Sequence, residues 1–147
     1  MILATLALTA ALTLTPTAIP AHLSPAALDM TGIKPSLYQG PAYSAKHEKI
    51  RRCIIRRESH GNYRAANKTS SARGAYQFLD RAWRDSLVWM MLAESKQTRD
   101  GLTEEIRALR TMPISKWNRY FQDRAFWTAW RHGAGAAHWH YSPKPCT

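Results

Sequence analysis

The sequence predicts a small, mainly α-helical domain. Its 147 residues are enough for one domain with an extension. Apolar residues recur at helical spacing in three segments, which cover residues 45–59, 80–95 and 115–130. No convincing run alternates apolar and polar side chains, as a half-buried strand does. We therefore expect a helical core, preceded by a segment of different composition.

The front of the chain has the composition of a secretory signal. Residues 1–14 are almost purely Ala, Leu, Thr and Ile, and no charged side chain occurs before Asp29. Such a run is too short to span a bilayer but fits the hydrophobic part of a signal peptide. Small residues before Ala21 offer a cleavage site, although no Lys or Arg precedes the run. Residues 1–21 are thus predicted to be a signal peptide; an uncleaved anchor or a mis-set start codon is the alternative.

The next segment reads as a connection and not as part of the domain. Residues 22–45 contain Pro, Ser, Gly and Ala without any hydrophobic period. Such composition is typical of a flexible linker. The domain itself is therefore predicted to cover residues 46–147.

Two cysteines lie near the two ends of the predicted domain. Cys53 belongs to its first helix, and Cys146 is the penultimate residue. An even count in a small exported domain predicts one disulfide between them. Neither a Cys-x-x-Cys nor a His-x-x-x-His spacing accompanies them, so a zinc site is not indicated. We expect no metal and no other cofactor.

The net charge of +11 indicates an anionic partner. A basic surface suits nucleic acid, an anionic membrane or an anionic cell wall. The arginines are scattered from Arg51 to Arg131, and no nucleic-acid-binding motif is recognisable. Together with the signal-like front, this favours an acidic polymer outside the cell. A GC-rich genome would also enrich arginine, so charge alone does not decide.

The first predicted helix places an acid on its apolar face. Its apolar stripe is completed by a carboxyl group: Ile50, Cys53, Ile54 and Glu58. Three arginines are expected mostly on the opposite side: Arg51, Arg52 and Arg56. Gly61 and Asn62 tolerate the left-handed conformation that ends a helix. Because partial desolvation disfavours the ionised form, Glu58 is a candidate general acid.

The remaining elements are predicted from caps and breakers. Residues 67–73 read as a loop, and residues 74–79 as a short extended strip. Asp80 is a good N-cap for the helix that runs to about residue 95. Thr103 begins a short helix that ends at Pro113, and Ser115 begins the longest aromatic helix.

Two segments carry a resemblance to a known family. Residues 58–63 read ESHGNY and residues 74–79 read GAYQFL, with Trp83 after a helix start. This pattern resembles the transglycosylase-like domain related to resuscitation-promoting factors, within the lysozyme-like superfamily. The resemblance covers roughly residues 50–146. His60 stands where that family usually has Gly, and Arg73 replaces a small residue.

The resemblance implies a lysozyme-like α+β domain with a substrate groove. Glu58 would be the single catalytic acid, which protonates the glycosidic oxygen leaving C1 of N-acetylmuramic acid. The residues implied to bind substrate are Asn62, Tyr76, Gln77 and Trp83. A Trp three residues beyond a helix cap is more often a core residue, so a place in the core is the alternative for Trp83.

The nucleophile is left open by the sequence. Glycosidases usually pair two carboxylates, but Asp80 is explained as a helix cap and Asp85 is expected to point outward. A lytic transglycosylase, in which the C6 hydroxyl of the substrate attacks C1, is slightly favoured over a hydrolase that uses water. A wall-binding module without turnover, or a phage lysis or tail protein with the same chemistry, is the alternative.

The expected setting follows from these predictions. We expect a secreted monomer acting on the glycan strands of peptidoglycan in the cell wall, or a phage virion-associated protein. Neither nucleic acid nor stable membrane insertion after signal removal is expected.

Overall fold

The computed structural model describes residues 18–140 and 145–146, and they form a mainly helical domain, as predicted. Five α-helices occur in this part of the chain: α1 Pro25–Leu28, α2 Glu48–Ser59, α3 Asp80–Thr98, α4 Thr103–Ala108 and α5 Arg119–Trp130. Short 3-10 turns lie at Ala21–Leu23, Ala45–His47, Leu109–Thr111, Ile114–Lys116, Arg131–Gly133 and Ala136–Trp139. The predicted signal peptide lies almost wholly outside the described residues.

The β-structure is a single small antiparallel pair. Strand β1, Ala72–Arg73, pairs with strand β2, Phe78–Leu79, and Ala72 lies opposite Leu79. β2 falls in the segment predicted to be extended, whereas β1 falls in the predicted loop. No described helix combines the length and the apolar character that crossing a membrane requires.

Helix α5 is the centre of the core. Every residue from Phe121 to Trp130 is buried, so this helix is enclosed on all sides. Helix α3 packs against it with Leu87, Val88 and Met91 buried at the contact. Helix α5 is shorter than predicted, because residues 115–118 form a 3-10 turn and an extended connection. Asn118 caps α5 by accepting the backbone N–H of Phe121 at 3.1 Å.

The predicted flexible linker is wrong, because residues 22–45 pack into the domain. Ala27, Met30 and Tyr38 are at most 8 % exposed and belong to the core. Helix α1 begins with Pro25, whose fixed φ suits the first helical position. The segment has no hydrophobic period because its backbone is mostly irregular and its buried side chains are isolated.

Hydrogen bonds attach this N-terminal segment to the rest of the molecule. The Leu37 N–H donates to Asp123 Oδ2 at 2.9 Å, across 86 residues of sequence. The carbonyl of Lys34 accepts Arg51 Nη2 at 2.6 Å. The Gly32 N–H donates to the carbonyl of Gly61 at 2.9 Å. The domain therefore begins well before residue 46.

Helix α2 occupies the predicted place but buries a different face. Ile54 and Ile55 are buried as core residues, and Arg51 is fully buried beside them. The expectation that Arg51 lies outward is wrong, because buried acceptors satisfy its guanidinium. Its Nη1 donates to the Tyr76 hydroxyl at 2.8 Å, and its Nη2 donates to Glu48 Oε1 at 2.6 Å.

Asp80 begins α3 but does not cap it. The N-cap position is Leu79, and the Asp80 carboxylate instead accepts the Ile114 N–H at 2.9 Å and pairs with Arg84. Burial opposes ionisation of Asp80, but the bonds from Arg84 and Ile114 outweigh it and hold the pKa below its usual range. Asp80 thus joins α3 to the turn that precedes α5.

The predicted disulfide between Cys53 and Cys146 is confirmed. It joins α2 to the C-terminal tail across 93 residues, with the Cα atoms 5.8 Å apart. A loop of this length corresponds to about 4–5 kcal/mol in the chain-entropy model, and measured values are often smaller. The tail that carries Trp139 is thereby fixed beside α2.

Candidate functional site

The end of α2 is built to present Glu58 next to a rigid loop. His60 caps the helix in the left-handed conformation, with φ 54°, and the loop turns at Gly61, with φ 84°. Prediction placed the left-handed residue at Gly61 or Asn62, and the structure adds His60. A Cβ at Gly61 would lie 2.9 Å from the backbone carbon of Gly32, so the N-terminal segment needs glycine here.

The Glu58 carboxylate is held on one oxygen only. Its Oε1 accepts Arg57 Nε at 2.9 Å and Arg57 Nη2 at 2.7 Å. The same Nη2 donates to the Trp139 carbonyl at 2.8 Å, which ties the pair to the C-terminal tail. Among the described residues, none donates a hydrogen bond to Oε2. The side chain is 26 % exposed and lies at the wall of a recess.

The recess beside Glu58 is small and lined by rings. We call it the inner recess; its volume is about 110 Å³. Its lining is Glu58, Tyr76, Gln77, Phe78, Leu79, Trp83, Ala129, His138 and Trp139. A space of this size holds part of a sugar ring, so a longer ligand must extend out of it.

Two larger recesses follow the inner one, and each shares lining residues with the recess before it. A middle recess of about 510 Å³ shares Trp83, Ala129 and His138 with it. An outer recess of about 410 Å³ shares Trp89, Met90 and Arg131 with the middle one. The three recesses adjoin in this order, and we call them together the groove. Its shape suits an extended molecule such as a polymer segment.

Trp83 and Gln77, two of the predicted substrate-binding residues, line the groove. Trp83 borders the inner and middle recesses, and its ring meets the His138 ring edge-on with centroids 4.3 Å apart. Gln77 borders the inner recess, and its Nε2 donates to the Gly74 carbonyl at 3.0 Å. Its backbone is left-handed, with φ 51°, which is a strained conformation for a residue with a Cβ. Strain of this kind is common at functional sites.

Tyr76 is a core residue, contrary to the prediction that it packs on a sugar face. It is 1 % exposed, and its ring stacks on Phe126 with centroids 4.7 Å apart. Its hydroxyl donates to Asp123 Oδ1 at 2.6 Å. Burial, to which the charge of Asp123 adds, raises its pKa well above the usual value, although Arg51 opposes this. Only a small part of the Tyr76 surface borders the inner recess.

Asn62 does not line the groove. It is exposed, forms an isolated antiparallel bridge with Thr31, and its Oδ1 accepts the Arg64 N–H at 2.9 Å. The role that the structure gives it is to shape the loop after α2. The Asn62 side chain, predicted to contact substrate, therefore does not line the recess beside Glu58.

Several groove residues were not predicted as site residues from the sequence. Trp89 is 66 % exposed, and Arg131 and His138 border two recesses each. Burial and the charge of Arg131 lower the pKa of His138, so this ring is neutral at neutral pH. Trp89 could have been found from helical phase, because it falls off the stripe of Leu87, Val88 and Met91.

Asp85 is the second carboxylate of the groove. It lines the middle recess, its side chain is 78 % exposed, and Arg110 pairs with it at 3.4 Å. It points outward, as expected, and it is not among the residues that line the inner recess with Glu58. Within residues 18–140 and 145–146, no three His, Cys, Asp or Glu side chains are grouped to hold a metal ion.

Comparisons with protein-family models, with curated proteins and with solved structures found no match to this chain.

Proposed function

We propose that this protein cleaves the β-1,4 bond between N-acetylmuramic acid and N-acetylglucosamine in peptidoglycan, with Glu58 as its single general acid and base. The observation that supports this most directly is the position of Glu58. Its carboxylate lies at the wall of a ring-lined recess, which is the inner end of the groove. No described residue donates a hydrogen bond to Oε2, so a substrate oxygen can use it.

The single acid favours a lytic transglycosylase. In the first step, protonated Glu58 gives its proton to the glycosidic oxygen as the C1–O bond breaks, and the leaving sugar departs with a 4-hydroxyl group. In the second step, the Glu58 carboxylate takes the proton of the C6 hydroxyl as O6 bonds to C1. The product is a 1,6-anhydro sugar, and no second carboxylate is consumed. Among the described residues, Glu58 is the only acid that lines the inner recess, and this route needs no second one.

Rings and the groove supply substrate binding in this proposal. Trp83, together with the exposed Trp89, offers indole faces on which sugars can stack. Gln77 can exchange hydrogen bonds with hydroxyl or N-acetyl groups next to Glu58. The disulfide and the signal-like front agree with action outside the cell, in the wall or as part of a phage particle.

A second candidate is a wall-binding module without turnover. The observation that favours it is the pair of hydrogen bonds that Arg57 donates to Glu58 Oε1, which in that case is a fixed structural contact. Such a protein would bind peptidoglycan through the groove and release nothing.

The test is incubation of the purified protein with peptidoglycan, followed by mass spectrometry of the released fragments. We expect 1,6-anhydro ends from the wild type and at least an approximately hundred-fold lower rate from Glu58→Gln. Glu105→Gln, an exposed glutamate on α4, is the matched control and should keep the wild-type rate.

Each outcome separates the candidates. Released fragments with reducing ends would show that the protein is a hydrolase and not a transglycosylase. Binding to sacculi without release would support the wall-binding module. A Glu58→Gln protein as active as the wild type would exclude Glu58 as the acid.

A further inference from the structure

The far half of the groove contains an arginine, Arg131, to which cleavage at Glu58 assigns no role. Trp89 stands between the middle and outer recesses and is 66 % exposed. Arg131 borders the same two recesses. An indole and a guanidinium thus share one wall of the groove, one recess away from Glu58.

Arg131 lies in a backbone conformation that favours glycine. It ends α5 with φ 46°, in the left-handed region where helices usually place glycine. The next residue, His132, is also left-handed, with φ 54°. Interaction of a cation with the end of the helix dipole is one reason for an arginine here.

A matched residue shows what the helix dipole alone accounts for. Arg99 ends α3 in the same way, with φ 54° and its N–H bonded to the carbonyl of Ser95. It is exposed and lines none of the three recesses. The two arginines have the same helix position and backbone, and they differ in that only Arg131 borders the groove.

The carboxylates that line the groove near Arg131 are paired with other arginines. In the middle recess, Arg110 pairs with Asp85 at 3.4 Å. In the outer recess, the carboxylate of Glu94 lies 2.9 Å from Arg124, which is buried. In the part of the chain that the structure describes, no carboxylate lies within ion-pair distance of Arg131.

We propose that Trp89 and Arg131 form a subsite for an acidic sugar unit, in which the indole stacks on the sugar face and the guanidinium binds a carboxylate. The proposed function supplies the polymer, peptidoglycan, whose peptide-substituted sugars carry carboxylates. Arginine binds a carboxylate through two parallel N–H bonds, and stacking on Trp adds contact with the ring. One arginine beside one indole suits a discrete carboxylate on a sugar, whereas a phosphate backbone is bound by rows of basic residues.

The test measures binding in the Glu58→Gln protein, so that no ligand is cleaved. Three ligands are titrated by calorimetry: a neutral N-acetylglucosamine hexamer, a peptidoglycan tetrasaccharide with its peptide carboxylates, and the same tetrasaccharide after amidation of those carboxylates. We expect Arg131→Gln to weaken the acidic ligand by about ten-fold and to leave the other two unchanged, since a charge-assisted bond is lost. Trp89→Ala should weaken all three.

Two further variants separate binding from folding. Arg99→Gln makes the same chemical change at the matched helix end and should alter no affinity. Arg131→Gly suits the left-handed backbone, so it should unfold no earlier than the wild type and still lose the preference for the acidic ligand.

The subsite is wrong if Arg131→Gln leaves the acidic ligand as tightly bound as before, if it weakens all three ligands equally, or if no ligand binds. This outcome is distinct from failure of the proposed function. If the wild-type protein prefers the acidic tetrasaccharide but cleaves nothing, the subsite is supported and the proposed enzymatic function is contradicted. If it cleaves peptidoglycan without any such preference, the function is supported and the subsite is contradicted.

Discussion

Asp123 and Glu58 each receive a bond from an arginine of α2, but one carboxylate is enclosed and the other borders a groove. Asp123 has no exposed surface, and its Oδ1 accepts the hydroxyl groups of Tyr63 and Tyr76, each at 2.6 Å. A backbone N–H of the N-terminal segment donates to its other oxygen, and Arg51 lies 3.4 Å away. Every oxygen of this carboxylate is thus satisfied inside the protein.

Glu58 differs from Asp123 because one of its carboxylate oxygens, Oε2, receives no hydrogen bond from the described residues. Arg57 occupies only Oε1, and the side chain remains 26 % exposed at the inner recess. The same helix therefore supplies one arginine to a carboxylate that stabilises the fold and another to a carboxylate that can still bind a ligand. Incomplete satisfaction, and not the presence of an ion pair, distinguishes the functional candidate from the structural one.

The largest expected effect is on stability at Asp123. Asp123→Asn removes one of the two carboxylates that pair with the buried Arg51, leaving only Glu48, and it gives the two tyrosine hydroxyls a poorer acceptor. We expect the free energy of unfolding to fall by about 3–5 kcal/mol, a large part of the total for a small domain. Urea denaturation followed by tryptophan fluorescence measures it.

The control for that variant is Asp85→Asn, at an exposed carboxylate of the groove. It should change stability by no more than about 0.5 kcal/mol. If the two variants were equally stable, the buried network around Asp123 would not hold the fold together.

The next effect is a loss of stability in alkaline solution. Burial raises the pKa of Tyr38, Tyr63 and Tyr76 above the usual value of about 10. Below pH 10 both the folded and the unfolded chain keep these protons. Above it, only the unfolded chain loses them, so the free energy of unfolding should fall by up to about 1.4 kcal/mol per pH unit for each tyrosine.

Urea denaturation between pH 8 and pH 11.5, with tyrosinate absorbance recorded in parallel, measures this loss. Tyr63→Phe should flatten the alkaline slope by the share of one tyrosine, although it is less stable at neutral pH because it no longer donates to Asp123. A slope that is the same in both proteins would contradict the assignment.

The smallest expected stability effect is at the groove. Arg57→Gln removes the bonds to Glu58 Oε1 and to the Trp139 carbonyl, both at a partly exposed position. We expect a loss of about 1 kcal/mol in stability. Release of peptidoglycan fragments should slow by roughly ten-fold, because Glu58 is no longer held in place.

Arg56→Gln, at an exposed arginine of the same helix, is the matched control and should change neither quantity. Wild-type activity in Arg57→Gln would show that Glu58 is positioned without its neighbour. The comparison between Asp123 and Glu58 would then rest on burial alone.

Local patterns predicted the part of the fold that local contacts determine. The stripe that includes Ile54, and the turn-forming residues after Ser59, predicted α2 and placed Glu58 at its end. Arg51 lies on that helix and was predicted outward, because nothing near it in sequence indicates its buried partner, Asp123. The partner is 72 residues away.

The same limit explains the N-terminal segment and the groove. Ala27, Met30 and Tyr38 are buried singly, without a period, against residues distant in sequence. Arg131 and His138 join Trp83 in one groove because the turns after α5 approach α3, and no spacing in the sequence encodes that approach. The position of Glu58 at the end of α2 was therefore predictable, and the groove around it was not.

The packed N-terminal segment has a consequence for the order in which the molecule can assemble during synthesis. Leu37 is made 86 residues before Asp123, the carboxylate that accepts its N–H. At ribosomal speeds this interval is roughly 4–17 s, during which the segment and α2 exist without their core helix. The two halves of the disulfide are separated by a still longer interval, since Cys146 follows Cys53 by 93 positions. The bridge that ties the tail to the helix of Glu58 can therefore form only after Cys146 has been made.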